Sequence, residues 1–116
     1  MLRRTRAYLA DMREAAAYIR ELTDGHSEAS YRTTKPLRQL VERTFEIIGE
    51  AMRRLLHHDP AIAERFPDGR KIVAFRNVIA HDYDAIDDGV VWTVATTDVP
   101  KLVAIIDAIL DETASG

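Results

Sequence analysis

A chain of 116 residues, 47% hydrophobic and 30% charged, has the composition of one soluble globular domain, residues 1–116, long enough to bury a core without staples. Cysteine is absent, which excludes disulfide frameworks and thiolate metal sites. The formal net charge of −3 hides a split: residues 1–76 carry 15 Lys and Arg against 11 Asp and Glu, residues 77–116 one against eight, so a polyanion would meet the first part.

The opening Met1-Leu2-Arg3-Arg4-Thr5-Arg6 begins like a basic leader, but Asp11, Arg13 and Glu14 interrupt any apolar run behind it. The expectation is therefore no signal peptide, no membrane span and a cytoplasmic protein. Leu2, Leu9, Met12, Ala16, Ile19 and Leu22 recur at helical spacing and predict the first helix. Thr23-Asp24-Gly25-His26-Ser27 supplies turn chemistry, and a polar stretch runs to Thr33-Thr34, a predicted cap ahead of Pro36 in the first turn of helix two. The second helix is predicted longest, with Leu37, Leu40, Val41, Phe45, Ile47, Ile48, Ala51, Met52 and Leu55 in a broad apolar stripe. Gly49 inside it costs about 1 kcal/mol relative to Ala and points to a close helix approach or a bend.

His57-His58-Asp59-Pro60 marks the end of that helix, with Asp59 capping a short turn that runs to Arg65. Two adjacent histidines do not share a helix face, which speaks against a metal site there. After Pro67-Asp68-Gly69, with Asp68 a candidate cap, the third helix is expected from Arg70 to about Asp82. Val90-Val91-Trp92-Thr93-Val94-Ala95 has strand-like composition but no partner strand, so it reads as a short helix capped by Asp87 or Asp88. A final helix is expected from an Asp98 cap, with Pro100 in its first turn and Leu102, Val103, Ile105, Ile106, Ile109 and Leu110 inside. The result is an all-α, antiparallel up-and-down four-helix bundle with short extra turns.

The third helix carries the chemistry, because Arg76-Asn77-Val78-Ile79-Ala80-His81-Asp82-Tyr83 gathers a fixed cation, an imidazole and a phenol. Arginine offers a forked permanent charge to phosphate oxygens, and histidine titrates near neutrality as a general acid or base. Asn77 and His81, four apart, lie on nearly one face; Arg76 and His81, five apart, diverge by roughly 140°. To act on one phosphate, Arg76 must reach round on its stem, or a second copy of the helix must contribute across an interface. Alone, the residues also fit a surface cation and an imidazole stabilised by the helix C-terminus.

In order along the chain, Glu42-Arg43-Thr44-Phe45-Glu46-Ile47-Ile48-Gly49-Glu50-Ala51, Ile72-Val73-Ala74-Phe75-Arg76-Asn77, His81-Asp82-Tyr83, Val91-Trp92 and Leu102 form a recognisable set. Over nearly its whole length the chain resembles the HepT-like toxins of the HEPN superfamily (higher eukaryotes and prokaryotes nucleotide-binding domain), of the HepT and MntA type. The resemblance implies a metal-independent endoribonuclease, needing no cofactor, in a homodimer whose active site lies at the subunit interface. Arg76 would bind the scissile phosphate, His81 would be the acid/base group, and Asn77 a supporting polar residue. It also implies a toxin-antitoxin system in which a nucleotidyltransferase antitoxin attaches AMP to Tyr83. The alternative is a catalytically silent helical module that binds a nucleotidyltransferase. Arg3, Arg4, Arg6, Arg70 and Lys71 are candidate RNA contacts; Glu50 reads first as part of a solvated helix face, and otherwise as a cap, a partner of Arg53 or Arg54, or a residue lining the cleft; and Trp92 and Phe75 read as core.

Overall fold

In a computed structural model of the chain, described over residues 1–81 and 83–115 apart from the side chains of Tyr83, Ala114 and Ser115, every regular element is helical. This bears out the all-α expectation. Helix α1, Arg3–Thr23, buries Leu9, Met12, Ala16 and Ile19, with Thr5 and Ala15 beside them. Leu2 leaves that stripe: it occupies the cap position and stays 61% exposed. The helix closes through Gly25 at φ 77°, a left-handed turn that glycine adopts without steric penalty.

A short helix unforeseen in the sequence follows. In α2, Glu28–Thr33, the Ser27 hydroxyl accepts from the Ser30 amide at 3.1 Å while the Ser30 hydroxyl accepts from the Ser27 amide at 2.9 Å. That reciprocal cap uses serine where glutamate or glutamine is the usual signal, so the polar segment read as a loop. Its product is Tyr31, fully buried with its ring 5.6 Å from Trp92.

Helix α3, Lys35–His58, has Pro36 in its first turn as expected. Thr34 holds the cap position but does not cap; its hydroxyl donates instead to the Ser30 carbonyl at 2.6 Å, closing α2 rather than opening α3. Leu37, Val41, Phe45, Ile48, Ala51, Met52 and Leu55 are buried, whereas Leu40 and Ile47, one heptad apart, remain exposed. Asp59 caps α4, Pro60–Ala63, by accepting from the Ile62 amide, and also accepts from the buried Thr5 hydroxyl of α1. The start of α1 thus sits against the end of α3, so the two run antiparallel.

Helix α5, Gly69–His81, runs back along the other flank of α3 and seats Phe75 edge-on against Phe45 at 5.2 Å. Asp68 accepts from the Ile72 amide through its carbonyl, and its carboxylate faces Lys71 at 3.8 Å. After a 3-10 turn at Tyr83–Ala85, helix α6, Asp88–Thr93, is capped by the Asp87 carboxylate, which accepts from the amides of Gly89 at 2.8 Å and Val90 at 3.3 Å. The strand-like segment is therefore helical.

The expected fresh start at Asp98 is not there. A widened π turn, Val94–Asp98, joins α6 to α7, Val99–Ser115, without a break. Pro100 lacks an N–H and its ring crowds the carbonyl four residues back, and the wide turn just ahead accommodates both effects. The span Asp88–Thr113 is long and apolar enough to cross a membrane by length and composition. Here it serves as a core helix, with Val91, Ala95, Val99, Leu102, Ile106 and Ile109 buried at spacings of three and four. Ion pairs tie α7 down: Arg13 to Asp107 at 2.6 Å and Arg65 to Glu112 at 2.8 Å.

Candidate active site

Gly49 decides where Arg76 can be. A Cβ built on Gly49 would lie 2.1 Å from the Arg76 Cβ and 2.5 Å from its Cγ, so α5 passes over α3 through a notch that only a missing side chain leaves open. The close approach expected from a mid-helix glycine is real, and what it admits is the stem of the motif arginine. Seated there, the Arg76 side chain is only 27% exposed, and its Nε is buried without a partner among the described residues. Of its two terminal nitrogens, one is hydrogen-bonded and the other is only within ion-pair reach of a carboxylate. Nη1 donates to the Asn77 Oδ1 at 3.0 Å, and Nη2 stands 3.7 Å from the Glu50 carboxylate.

Glu50 is the hub of this corner. Its carboxylate accepts from Arg53 at 2.8 Å and Arg54 at 3.0 Å, three and four residues on along the same face, and reaches Arg76 across the helix pair. Those hydrogen bonds, Arg53's first, hold the Glu50 carboxyl down to about 2 against the cost of burial. Three guanidinium groups thus share the Glu50 carboxylate, each a forked donor of the kind that also binds phosphate. Tyr8 and Asp11 from α1, Arg43, Glu46, Ile47, Glu50, Ala51 and Arg54 from α3, and Arg76 from α5 line a groove of about 300 Å³, in which arginines and carboxylates are equal in number.

His81 does not line that groove; it is exposed at the last position of α5, one turn past Asn77. One chain therefore unites Arg76 with Asn77 and Glu50, but it does not bring His81 to them. Asn77, expected beside the imidazole, spends its carbonyl oxygen on Arg76. The side chain of Tyr83, the expected AMP acceptor, lies outside the described residues, as does Asp82. Lys71 borders a separate apolar cleft of about 370 Å³ lined by Phe45, Ile72, Phe75, Leu102 and Ile105, and not the arginine groove.

Two features escaped sequence reasoning. The Arg76–Asn77 pair joins neighbours that helical geometry turns 100° apart, and only the long guanidinium arm closes the gap. The participation of Tyr8 and Asp11 depends on α1 lying beside α3, a contact that local spacing does not encode.

The chain is thus an all-helical bundle that seats a half-buried arginine of α5 in a groove against α1 and α3, with an imidazole at the end of the same helix. Residues 12–109 match the family model for "Ribonuclease HepT-like" proteins, and the chain belongs to that family. It is 34% identical over 102 residues to a candidate RNase of Methanocaldococcus jannaschii, covering 86% of this chain and 91% of that protein. A candidate ribonuclease HepT from Thermococcus cleftensis is 29% identical over 102 residues, covering 88% of this chain and 92% of that protein. A second M. jannaschii protein, named for both gamma-glutamylcyclotransferase and candidate RNase, is 30% identical over 112 residues; the match takes in 97% of this chain but spans only half of that protein's length. No solved structure matches the chain.

Proposed function

We propose that this chain is a metal-independent endoribonuclease in which two copies build one site, Arg76 binding the scissile phosphate, Asn77 supporting it and His81 moving protons. The observation that supports the reading is the Arg76 guanidinium, its stem fixed by the Gly49 notch and only one of its nitrogens hydrogen-bonded, in a groove that His81 of the same chain does not line. A second copy of α5 supplies the missing imidazole. Exposed Leu40 and Ile47 on α3 and Val78 on α5 offer apolar area around the groove for such a contact.

The reaction uses the RNA's own 2′-hydroxyl. His81 takes its proton as the 2′-oxygen bonds to phosphorus, Arg76 offsets charge on the pentacoordinate phosphate, and the bond to the 5′-oxygen breaks as that oxygen takes a proton from the imidazolium so formed. The products are a 2′,3′-cyclic phosphate and a 5′-hydroxyl. In the same reading the protein is the cytoplasmic toxin of a toxin-antitoxin pair, silenced when a nucleotidyltransferase antitoxin attaches AMP to Tyr83. Two residues from His81 in sequence, that adduct would add bulk and phosphate charge beside the proton-transfer group.

Mixed dimers test the reading. Arg76→Ala and His81→Ala should each be folded and inactive, while an unfolded and co-refolded mixture of the two should regain cleavage, because some sites then pair an intact arginine with an intact histidine. Cleavage should persist in EDTA and fail on a 2′-deoxy substrate. Activity in either single variant, dependence on a divalent ion, or equal cutting of DNA would refute it.

A further inference from the structure

Helix α1 begins against the rules of helix electrostatics. The N-terminal turn is the positive end of the macrodipole and favours acidic residues, yet α1 has none there and carries Arg3, Arg4 and Arg6 instead. All three are exposed, and among the described residues none has a carboxylate partner. A sequence that breaks a local preference without a local gain marks a place where function sets the residue.

The packing concentrates the effect. Arg4 Nη1 lies 3.1 Å from the His58 Nδ1, which must accept because a guanidinium only donates. The His58 ring also stacks on Tyr8, with centroids 6.0 Å apart, and meets His57 edge-on at 4.8 Å. Burial, then Arg4, His57, Arg54 and Arg53, push the His58 imidazole below its ordinary pKa, as a crowded positive field should. This end of the bundle is also continuous with the Arg76 groove: Tyr8 belongs to both, and Arg54 lines the groove one turn before His58 on α3. From Gly49, where Arg76 sits, to His58 is nine residues of helix, roughly 13 Å.

We propose that this cationic end, centred on Arg3, Arg4 and Arg6, is a second RNA subsite that grips the sugar-phosphate backbone flanking the linkage held at Arg76. It rests on the ribonuclease reading for its substrate. An anionic membrane fits less well, because Leu9 and Met12 of α1 point into the core and only Met1 and Leu2 stand exposed beside the arginines, short of the continuous apolar face that an interfacial helix needs. Phosphate gripping by exposed arginines carries no base specificity, so the subsite sets affinity and register along the strand.

The test reads binding on a single-stranded RNA carrying 2′-O-methyl groups, which cannot be cut, with salt raised from 50 to 200 mM. Replacing Arg3, Arg4 and Arg6 together by alanine should lower the slope of log affinity against log salt by about 2, three phosphate contacts at about 0.7 each. Arginine-to-lysine replacement at the same positions should restore most of that slope. On cleavable RNA the triple alanine variant should raise KM while kcat stays within about twofold. Arg3→Glu, which keeps the Arg4–His58 contact, should weaken RNA binding without lowering Tm, a combination that a purely structural role does not give. An unchanged salt slope and KM in a folded triple variant would overturn the proposal, as would salt-dependent binding to vesicles of anionic phospholipid in place of RNA. A chain that binds RNA through these arginines yet cuts none would sink the ribonuclease reading and leave the subsite standing.

Discussion

Gly49 and Arg76 interlock α3 with α5: the arginine stem occupies the space that any side chain at position 49 would fill. A single alanine methyl meets two effects of opposite sign. Helix propensity favours alanine by about 1 kcal/mol, while forcing volume into a closed contact costs about 1–3 kcal/mol. Overpacking should win, because the clashing atoms are the Cβ and Cγ next to the α5 backbone and not the mobile end of a side chain. Gly49→Ala is therefore expected to lower stability in urea unfolding and to reduce RNA cleavage at least as much as it reduces the folded fraction. Full activity with raised stability would show that the notch is not needed.

Glu50 gives a pH prediction with a definite sign. Its folded-state carboxyl is held down to about 2 by Arg53 and then Arg54, whereas in the unfolded chain it titrates near about 4.3. A depressed pKa contributes stability above the unfolded value and loses it as pH falls toward the folded value. Glu50→Gln should therefore flatten the dependence of stability on pH between about 4.5 and about 2, with little change in slope near neutrality. Acid titrations of urea midpoints for both proteins decide it; parallel curves would mean that the arginine cluster does not favour the charged form.

The elements legible in the sequence were those whose signals are local. The spacing of Leu9, Met12, Ala16 and Ile19 gave α1, Asp59-Pro60 gave the α4 cap, Asp87 gave the α6 cap, and Gly49 announced a close approach. Misreadings fell where two local rules compete. Thr34 and Asp98 are good cap residues, but a carbonyl of the preceding helix takes the Thr34 hydroxyl, and the π turn carries α6 past Asp98. Leu40 and Ile47 fit the apolar stripe by period yet lie on the flank that α1 and α5 leave uncovered. Within the site, residue types, the 140° splay and the pairing of Glu50 with Arg53 and Arg54 were readable, whereas the roles of Tyr8 and Asp11 needed the helices to be placed side by side.

Tyr31 is a fully buried phenol whose hydroxyl has no hydrogen-bond partner among the described residues. Burial, reinforced by Glu42 and Asp88, pushes its pKa upward, so it stays neutral. A buried unsatisfied polar group costs about 1–3 kcal/mol, and phenylalanine keeps the ring contact with Trp92 while removing it. Tyr31→Phe should gain about 1 kcal/mol, or about 4 °C in Tm by calorimetry. A clear loss would point to a water-mediated bond from the hydroxyl.

Asp59 ties the arginine-bearing end of α1 to the junction of α3 and α4, because one carboxylate caps α4 through the Ile62 amide and accepts from Thr5 in the first turns of α1. Asp59→Ala removes the cap, at about 1 kcal/mol, and also leaves the buried Thr5 hydroxyl unpaired, at about 1 kcal/mol or more. Thr5→Val removes the second partner with nearly the same shape and should cost less than Asp59→Ala. If the two residues act through one hydrogen bond, the double variant should be more stable than the sum of the single losses predicts, by about 0.5–1 kcal/mol in a urea cycle. Because Thr5 lies between Arg4 and Arg6, the same cycle read in RNA affinity should show a loss for Asp59→Ala beyond that of Thr5→Val, as the first turn of α1 loosens. Strict additivity in stability would mean that the Thr5–Asp59 hydrogen bond does not hold the α1–α3 junction and that Asp59 serves only α4.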